Sequence, residues 1–363
     1  EALNSLLNMS PPTVVLVTCM LLSFTTWCAT AEVTSSCVAN TPAVLTAVVS
    51  EVKKVAAVAA FDANSDGLVD VFAMDKEHHS LQAFANNGLL ALLEPVVVDG
   101  AYSRSYATEL LPADVDGDGR TDLVVLARIN RPAKEDFDSA FWYRNLAEGS
   151  GGPIAFSERN VIAHSFLGGA ALAVGDLDGD SHVDAVVAIS STGEIWLYPN
   201  SFGNGTFGLG RVVIWKENLK GIADIELVDI GSDGMLDVVA AVQLDNSYEL
   251  NWHRNDGAGV FNPLVTRSSV EAKTFVQGEV NNDGYPDLVI GTGTELYVLT
   301  GNSNGFNPMS GARNFAYAAD GVFVGDFDGD GWADVGAFGT TKYSVWPNNG
   351  AGDFATSSDH PTP

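Results

Sequence analysis

Short unbroken apolar runs, each entering or leaving a cluster of acidic residues and glycine, recur along this chain. Ala171 to Val174 and Ala185 to Ala188 frame one cluster, and Leu123 to Ala127 and Val238 to Val242 follow two others. The runs are continuous rather than alternating, which marks strands buried on both faces; they are too short for buried helices and are bounded by Asp and Gly. Around the third cluster, four strand-like segments fall within about 50 residues: Ala170 to Gly175, His182 to Ile189, Glu194 to Pro199 and Arg211 to Trp215. One four-stranded sheet per repeat is the blade pattern of a propeller. The predicted fold class is therefore all-β, a β-propeller of four-stranded blades.

The acidic clusters share one spacing, with carboxylates at positions 1, 3, 5 and 9 and Gly at position 6. The fullest copies are Asp114, Asp116, Asp118, Gly119, Asp122 and Asp326, Asp328, Asp330, Gly331, Asp334. Asp62, Asn64, Asp66, Gly67, Asp70 keep the pattern, and Asp176, Asp178, Asp180, Asp184 keep four carboxylates with Ser181 in place of the turn glycine. Two copies depart further: Asp229, Asp233, Gly234, Asp237 carry Gly231 at position 3, and Glu279, Asn281, Asp283, Gly284, Asp287 begin with the longer Glu. Several oxygens converging on a sharp turn suit a hard cation taking six to eight oxygen ligands, so the loops read as up to six Ca²⁺ sites, that at Asp229 the weakest. An EF-hand is excluded, since it needs Glu at position 12, where this chain has Ala73, Val125, Val187, Ala240, Ile290 and Ala337.

First positions are 52, 62, 53, 50 and 47 residues apart, a period that means a propeller, solenoid or array. Six blades is the direct count, with seven as the alternative. The segment Val44 to Val49 is expected to close the ring as an outer strand. About 20 residues after most loops comes an aromatic followed by Asn: Phe84 with Asn86, Trp142 and Tyr143 with Asn145, Trp196 and Tyr198 with Asn200, Trp252 with Asn255, Trp346 with Asn348. These aromatics either fill the wedge between blades or form a sugar-stacking platform; every blade needs wedge filling, which favours the first.

The net charge of -28 changes little in this picture, because 21 of the 46 acidic residues sit at the loop positions and six divalent cations would offset more than half of that loop charge. The acidic balance still argues against nucleic acid and anionic membrane as partners. Residues 1–31 read as a presequence: the apolar run from Thr13 ends in Ala29, Thr30, Ala31, a small-x-small cleavage pattern, though without a basic start. The mature chain is then not membrane-spanning, and secretion or a cell-surface location suits calcium, which is abundant outside cells. Residues 32–43 form a lead, 44–354 the propeller and 355–363 a polar tail. Cys37 alone remains after the presequence, so no disulfide framework is present, and Asn204, Gly205, Thr206 form one glycosylation sequon.

Acidic loops entering Val-rich strands, followed by Trp-Tyr-Arg-Asn or Trp-His-Arg-Asn and then Asn-Asp-Gly-x-Gly-x-Phe, resemble the FG-GAP/VCBS repeats of integrin-alpha-like propellers over residues 55 to 354. The resemblance implies a calcium-binding propeller, often seven-bladed, in secreted or surface proteins used for adhesion or glycan and protein recognition. It also implies that the carbonyl of position 7, such as Arg120 or Trp332, joins the ligands. No His-Glu-x-x-His, nucleophile elbow or complete dinucleotide fingerprint occurs. The expected function is a recognition or adhesion module for a glycan or extracellular protein; the alternative is a polysaccharide-active lyase or hydrolase with charged residues converging on the axis.

Overall fold

The computed structural model describes residues 55–361 apart from 87–94, 103–104, 130–137, 150, 167, 216–220, 245–246, 263–265, 269–271, 273, 308–309, 315–320, 340–341 and 356–357. Among the described residues there is no helix, and so none long and apolar enough to cross a membrane.

The strands form six four-stranded antiparallel sheets in sequence order. The first contains β1 (Val55–Phe61), β2 (Asp70–Asp75), β3 (Ser80–Phe84) and β4 (Val96–Asp99); the second β5 (Ser105–Ala113), β6 (Asp122–Ile129), β7 (Asp138–Tyr143) and β8 (Asn160–Phe166). The third is built from β9 (Gly169–Gly175), β10 (Asp184–Ile189), β11 (Glu194–Tyr198) and β12 (Arg211–Trp215), within a residue or two of the segments expected from the apolar pattern. The fourth holds β13 (Gly221–Val228), β14 (Asp237–Gln243), β15 (Tyr248–His253) and β16 (Thr266–Ser268). In the fifth, β17 (Thr274–Gly278), β18 (Asp287–Gly291) and β19 (Glu295–Leu299) are followed by a two-residue ribbon, β20 (Gly301–Asn302) and β21 (Gly305–Phe306), before the outer strand β22 (Ser310–Asn314). The sixth comprises β23 (Gly321–Gly325), β24 (Asp334–Phe338), β25 (Lys342–Trp346) and β26 (Ser358–Pro361).

The second strand of each sheet begins at position 9 of an acidic loop, so the loop is the β-hairpin turn joining the first two strands. β2, β10, β18 and β24 are buried along their whole length, which is why their sequences are unbroken apolar runs. The first strands are innermost and pack in succession, β1 on β5, β5 on β9, β9 on β13, β13 on β17 and β17 on β23. The core lies between sheets rather than inside one layer. Phe72, Met74 and Leu81 of the first sheet meet Leu123, Val125 and Phe141 of the second, and Val124, Leu126 and Trp142 meet Leu172, Ala185 and Val187 of the third. Each such Val or Leu contributes about 1.5–3 kcal/mol by leaving water.

Bulges in the innermost strands include one between Ala107 and Glu109 on β5 and one between Ile222 and Asp224 on β13, which re-aim the side chains there. The outer strand of the sixth sheet comes from residues expected to be a polar tail: Tyr343 pairs with His360 and Lys342 with Pro361. An edge strand is held by backbone hydrogen bonds and tolerates proline, so polarity did not disqualify it. The segment 44–49, the presequence 1–31, the lead 32–43 and Cys37 lie outside the described residues.

Candidate functional site

Each acidic loop is first a turn held by its own carboxylates. The position 1 side chain accepts backbone N–H groups from positions 5 and 6. Asp114 takes Asp118 at 3.1 Å and Gly119 at 2.9 Å, Asp62 takes Asp66 at 3.1 Å and Gly67 at 2.8 Å, and Asp229 takes Asp233 and Gly234 at 2.9 Å. Asp326 reaches Asp330 at 3.2 Å and Gly331 at 2.9 Å; Asp176 reaches Ser181 at 2.9 Å, and Glu279 reaches Asp283 at 3.3 Å and Gly284 at 2.8 Å, its extra methylene accommodated. The turn needs positive φ at position 6, where Gly119 has 82° and Ser181, as its substitution requires, 68°. It also needs positive φ at position 4, which is Ser65, Gly117, Gly179, Ser232, Asn282 and Gly329. That second constraint escaped the sequence reading because serine and asparagine there disguise it.

Position 9 is a buried anchor. Asp122 is fully buried and accepts Val115 N–H at 3.0 Å and Asn145 N–H at 2.7 Å. Asp70 does the same with Ala63 at 3.0 Å and Asn86 at 2.8 Å, Asp184 with Leu177 at 3.2 Å and Asn200 at 2.8 Å, and Asp334 with Phe327 at 2.9 Å and Asn348 at 2.7 Å. Asp287 takes Val280 at 2.8 Å and Gly301 at 2.7 Å, whereas Asp237 takes the Trp252 indole at 3.0 Å and Asn255 at 2.7 Å. Burial pushes the carboxyls of Asp70, Asp122, Asp184, Asp237 and Asp287 up to about 6 against the pull of these donors, and raises Asp334 in the same direction.

The recurrent asparagine explains itself here. Asn145 Nδ2 donates to the carbonyl of Thr121 in its own loop at 2.9 Å and to that of Ala63, in the preceding sheet's loop, at 2.8 Å. Asn200 bridges to Val115 at 2.8 Å, Asn255 to Leu177 at 2.8 Å and Asn348 to Val280 at 2.6 Å. In the fifth sheet Gly301 stands at this position and offers no side chain; a Cβ there would lie 2.3 Å from the Pro286 carbonyl oxygen.

Three loops bring carboxylate oxygens of positions 1, 3 and 9 within 4.8 Å of one another: Asp114, Asp116 and Asp122; Asp176, Asp178 and Asp184; Asp326, Asp328 and Asp334. Position 5 is not part of these groups, and in the second and fourth loops an arginine from the strand end engages it. Arg144 Nε lies 2.6 Å from Asp116 and its Nη2 2.9 Å from Asp118, which Arg120 also contacts; Arg254 Nη2 lies 2.7 Å from Asp233. Burial works against charge on Asp118, but hydrogen bonds from Arg144 and the Arg120 backbone outweigh it and hold its carboxyl below the usual range. The third and sixth loops have Pro199 and Pro347 at the arginine position, so Asp180 and Asp330 face no such competitor. In the fourth loop, Gly231 supplies no oxygen and Arg254 engages Asp233, leaving a cation two fewer donors. Asn64 and Asn281 keep amide oxygens at position 3, although each also turns its oxygen to a position 5 N–H, at 3.2 Å to Asp66 and to Asp283.

Asp116 Oδ1 and Asp178 Oδ1 are buried with no hydrogen-bond donor. Burial, then the neighbouring loop carboxylates, push both carboxyls upward. An orphaned buried oxygen beside two further carboxylates is the acceptor that a divalent cation satisfies, so the donor set fits a hard metal ion.

The strand-end aromatics are wedges. Trp142, Trp252 and Trp346 are buried, and Trp142 Nε1 donates to Gly205 O of the next sheet at 3.2 Å, where a Cβ on Gly205 would collide with the indole. Buried, these three offer no sugar-stacking platform, whereas Trp196 and Tyr198 of the third sheet are half-buried and stack on one another with ring centroids 6.4 Å apart. A different tryptophan is available: Trp332, at position 7 of the sixth loop, is 37% exposed. It borders a cavity of about 230 Å³ between the fifth and sixth loops, together with Glu279, Asn282, Asp326 and Asn348.

A third feature had no legible signal. Glu109 on β5 and Asp224 and Glu226 on β13 project from innermost strands; Glu109 accepts Leu172 N–H at 2.6 Å, and Glu226 Oε2 has no partner. Burial pushes Glu109 and Glu226 up to about 8, the Asp224 charge adding to both, and Asp224 up to about 7.

Comparison with curated proteins finds no match. Among solved structures, the chain is similar to an Agrocybe aegerita lectin whose structure concerns specific recognition of non-reducing terminal N-acetylglucosamine, at 17% identity and a TM-score of 0.56, over 85% of this chain and 81% of that one. It also matches a functionally unknown protein from Desulfotomaculum acetoxidans at 13% identity and a TM-score of 0.48, over 79% of each chain. The first likeness is one of fold. The FG-GAP-like repeat matches residues 62–125, 114–187, 176–240 and 280–337, well over half of the sequence and nearly every acidic loop in full. With its loops, sheets and repeats in this register, the chain belongs to the FG-GAP-like repeat family.

Proposed function

We propose that the protein is a secreted or cell-surface recognition module, a β-propeller stabilised by calcium, that binds the terminal unit of a glycan. The cavity between the fifth and sixth loops carries this reading: a partly exposed indole for a sugar's apolar face stands beside carboxylate and amide groups for its hydroxyls. Its volume, about 230 Å³, is below the ~300–1,000 Å³ of drug-sized pockets and suits one sugar ring rather than a chain. The shared fold with a lectin of terminal N-acetylglucosamine supports a carbohydrate over a protein ligand. Calcium would be held by the position 1, 3 and 9 carboxylates, most fully in the third and sixth loops, where it supplies positive charge to oxygens that otherwise repel. Asp326 belongs both to the sixth loop's carboxylate cluster and to the cavity lining, so calcium and ligand binding are coupled there. The test is retention on a glycan array in calcium and in chelator. Retention that is lost with chelator and with Trp332→Ala supports the reading, and silence on glycan, matrix and cell-surface arrays alike overturns it.

A second reading, a polysaccharide-active enzyme, draws on Glu109, Asp224 and Glu226, which project from innermost strands and whose carboxyls burial pushes up towards the range a general acid needs. Turnover of a uronic-acid polymer that disappears in Glu226→Gln would establish it; no turnover across such polymers removes it.

A further inference from the structure

The hairpin after β11 carries an aromatic that the fold does not use. Phe202 is 80% exposed, although the strand-end wedge of its sheet is filled by Trp142 from one side and by Trp196 and Phe207 from the other. An isolated exposed apolar residue is ordinary, but this one stands two positions before Asn204 and four before Thr206, the ends of a glycosylation sequon. Along the hairpin, exposure alternates: Phe202, Asn204 and Thr206 are exposed, whereas Gly203, Gly205 and Phe207 turn inward. All three stand on the solvent face of a tight turn in which Gly203 and Gly205 take positive φ.

That face is fixed from below. Asn200 accepts Gly203 N–H with its carbonyl at 2.8 Å and Gly205 N–H with its Oδ1 at 3.1 Å, and Gly208 N–H reaches Pro199 O at 2.7 Å. The Trp142 indole pins Gly205 O from the neighbouring sheet. Asn204 Oδ1 accepts Thr206 N–H at 3.0 Å, an Asx turn that occupies the oxygen and leaves Nδ2 directed to solvent. The corresponding hairpins of the fourth and sixth sheets, Asp256 to Val260 and Asn349 to Asp353, contain neither sequon nor aromatic. The repeat therefore does not require either one.

We propose that Asn204 is an N-glycosylation site and that its first sugar packs on the ring of Phe202. The inference rests on the secretion reading, since the acceptor must meet the glycan donor in the secretory pathway. Asn204 Nδ2 bonds to the anomeric carbon of a lipid-pyrophosphate-linked oligosaccharide. The bond from that carbon to the pyrophosphate oxygen breaks with its electron pair, the lipid pyrophosphate leaves, and the amide gives up one proton. Phe202 then covers the apolar face of the attached N-acetylhexosamine and is itself removed from water.

The test is expression of the full chain in a secreting eukaryotic cell behind a heterologous leader, which imposes entry, beside a second arm using the chain's own N-terminal segment. In the first arm the secreted protein should lose one mass step on treatment with peptide N-glycosidase, and Asn204→Gln and Thr206→Ala should each abolish that step. A secreted protein of unshifted mass overturns the proposal, while failure of the second arm alone overturns secretion by its own segment and leaves the site standing. The glycosylated protein should melt higher than its enzymatically deglycosylated form, and Phe202→Ser should erase that difference. An equal difference in Phe202→Ser overturns the packing of the sugar on Phe202.

Discussion

Asn145 reaches across 82 residues of sequence to place its Nδ2 2.8 Å from the carbonyl oxygen of Ala63, joining the second sheet to the loop of the first. The same amide serves Thr121 O at 2.9 Å, and the residue is 2% exposed. Truncation leaves buried carbonyls without donors, which costs about 1–3 kcal/mol for each unsatisfied group. Asn145→Ala should therefore lower stability by about 2–3 kcal/mol in urea denaturation with an unchanged m value. A loss below about 0.5 kcal/mol would show that the bridge is dispensable.

Ser181 stands where its sister loops have glycine, at φ 68°. A left-handed conformation costs an L-residue about 1–2 kcal/mol, partly offset by the extra backbone entropy glycine loses on folding. Ser181→Gly should stabilise the protein by up to ~1 kcal/mol, and Gly119→Ser, the reverse change in the second loop, should cost a similar amount. Thermal melts of the two variants in the same calcium concentration decide the matter; a destabilised Ser181→Gly would sink the argument.

Calcium removal should lower the melting temperature substantially. A site filled at a hundred times its dissociation constant adds about 2.7 kcal/mol, so a few filled loops rival the net stability of a domain, ~5–15 kcal/mol. Asp178→Asn should shrink the calcium-dependent part of the melting temperature, whereas Asp229→Asn should leave it almost unchanged, because Gly231 and Arg254 already impoverish that loop. Calorimetry with excess chelator checks both, and identical melts with and without calcium would refute a stabilising ion.

The half-buried carboxyls of Glu109, Asp224 and Glu226 make stability fall with rising pH. Burial raises Glu109 and Glu226 to about 8 and Asp224 to about 7 in the folded chain, so between roughly pH 4 and 8 the native state holds more protons than the unfolded one. Their stabilising contribution is complete below about pH 4 and lost as pH passes 7 to 8. Glu226→Gln, which cannot ionise, should gain stability over wild type at pH 8 and lose that advantage at pH 5. Denaturation curves at the two pH values, in fixed calcium, provide the check.

Much of the architecture is legible in residues such as Ala185 to Ala188 and Leu123 to Ala127. A strand buried on both faces has no polar side to write, and the recurring acidic turns mark the first hairpin of each sheet. What escaped has a physical reason in each case. The partner of Asn145 lies in another repeat, so no local pattern names it. Ser358–Pro361 joins its sheet through backbone groups, which every residue carries. Glu109 and Asp224 owe their direction to bulges, where one extra residue turns a side chain inward without altering composition. The competition of Arg144 for Asp116 and Asp118 was hidden because the arginine follows the loop by 22 residues or more; it shifts the fullest carboxylate sets to the loops at Asp176 and Asp326.

Gly301 gives the molecule a seam. The asparagine rivets run from the second sheet to the first, the third to the second, the fourth to the third and the sixth to the fifth, but the fifth sheet has none to drive into the loop at Asp229. That joint is held by its apolar packing, its innermost strands and one exposed hydroxyl, Ser232 Oγ donating to Gly284 O at 3.0 Å, and it lies beside the loop least equipped to clamp an ion. A pull applied across the molecule should therefore open the joint between the fourth and fifth sheets, whose polar link is exposed to water, before the joints riveted by a buried asparagine.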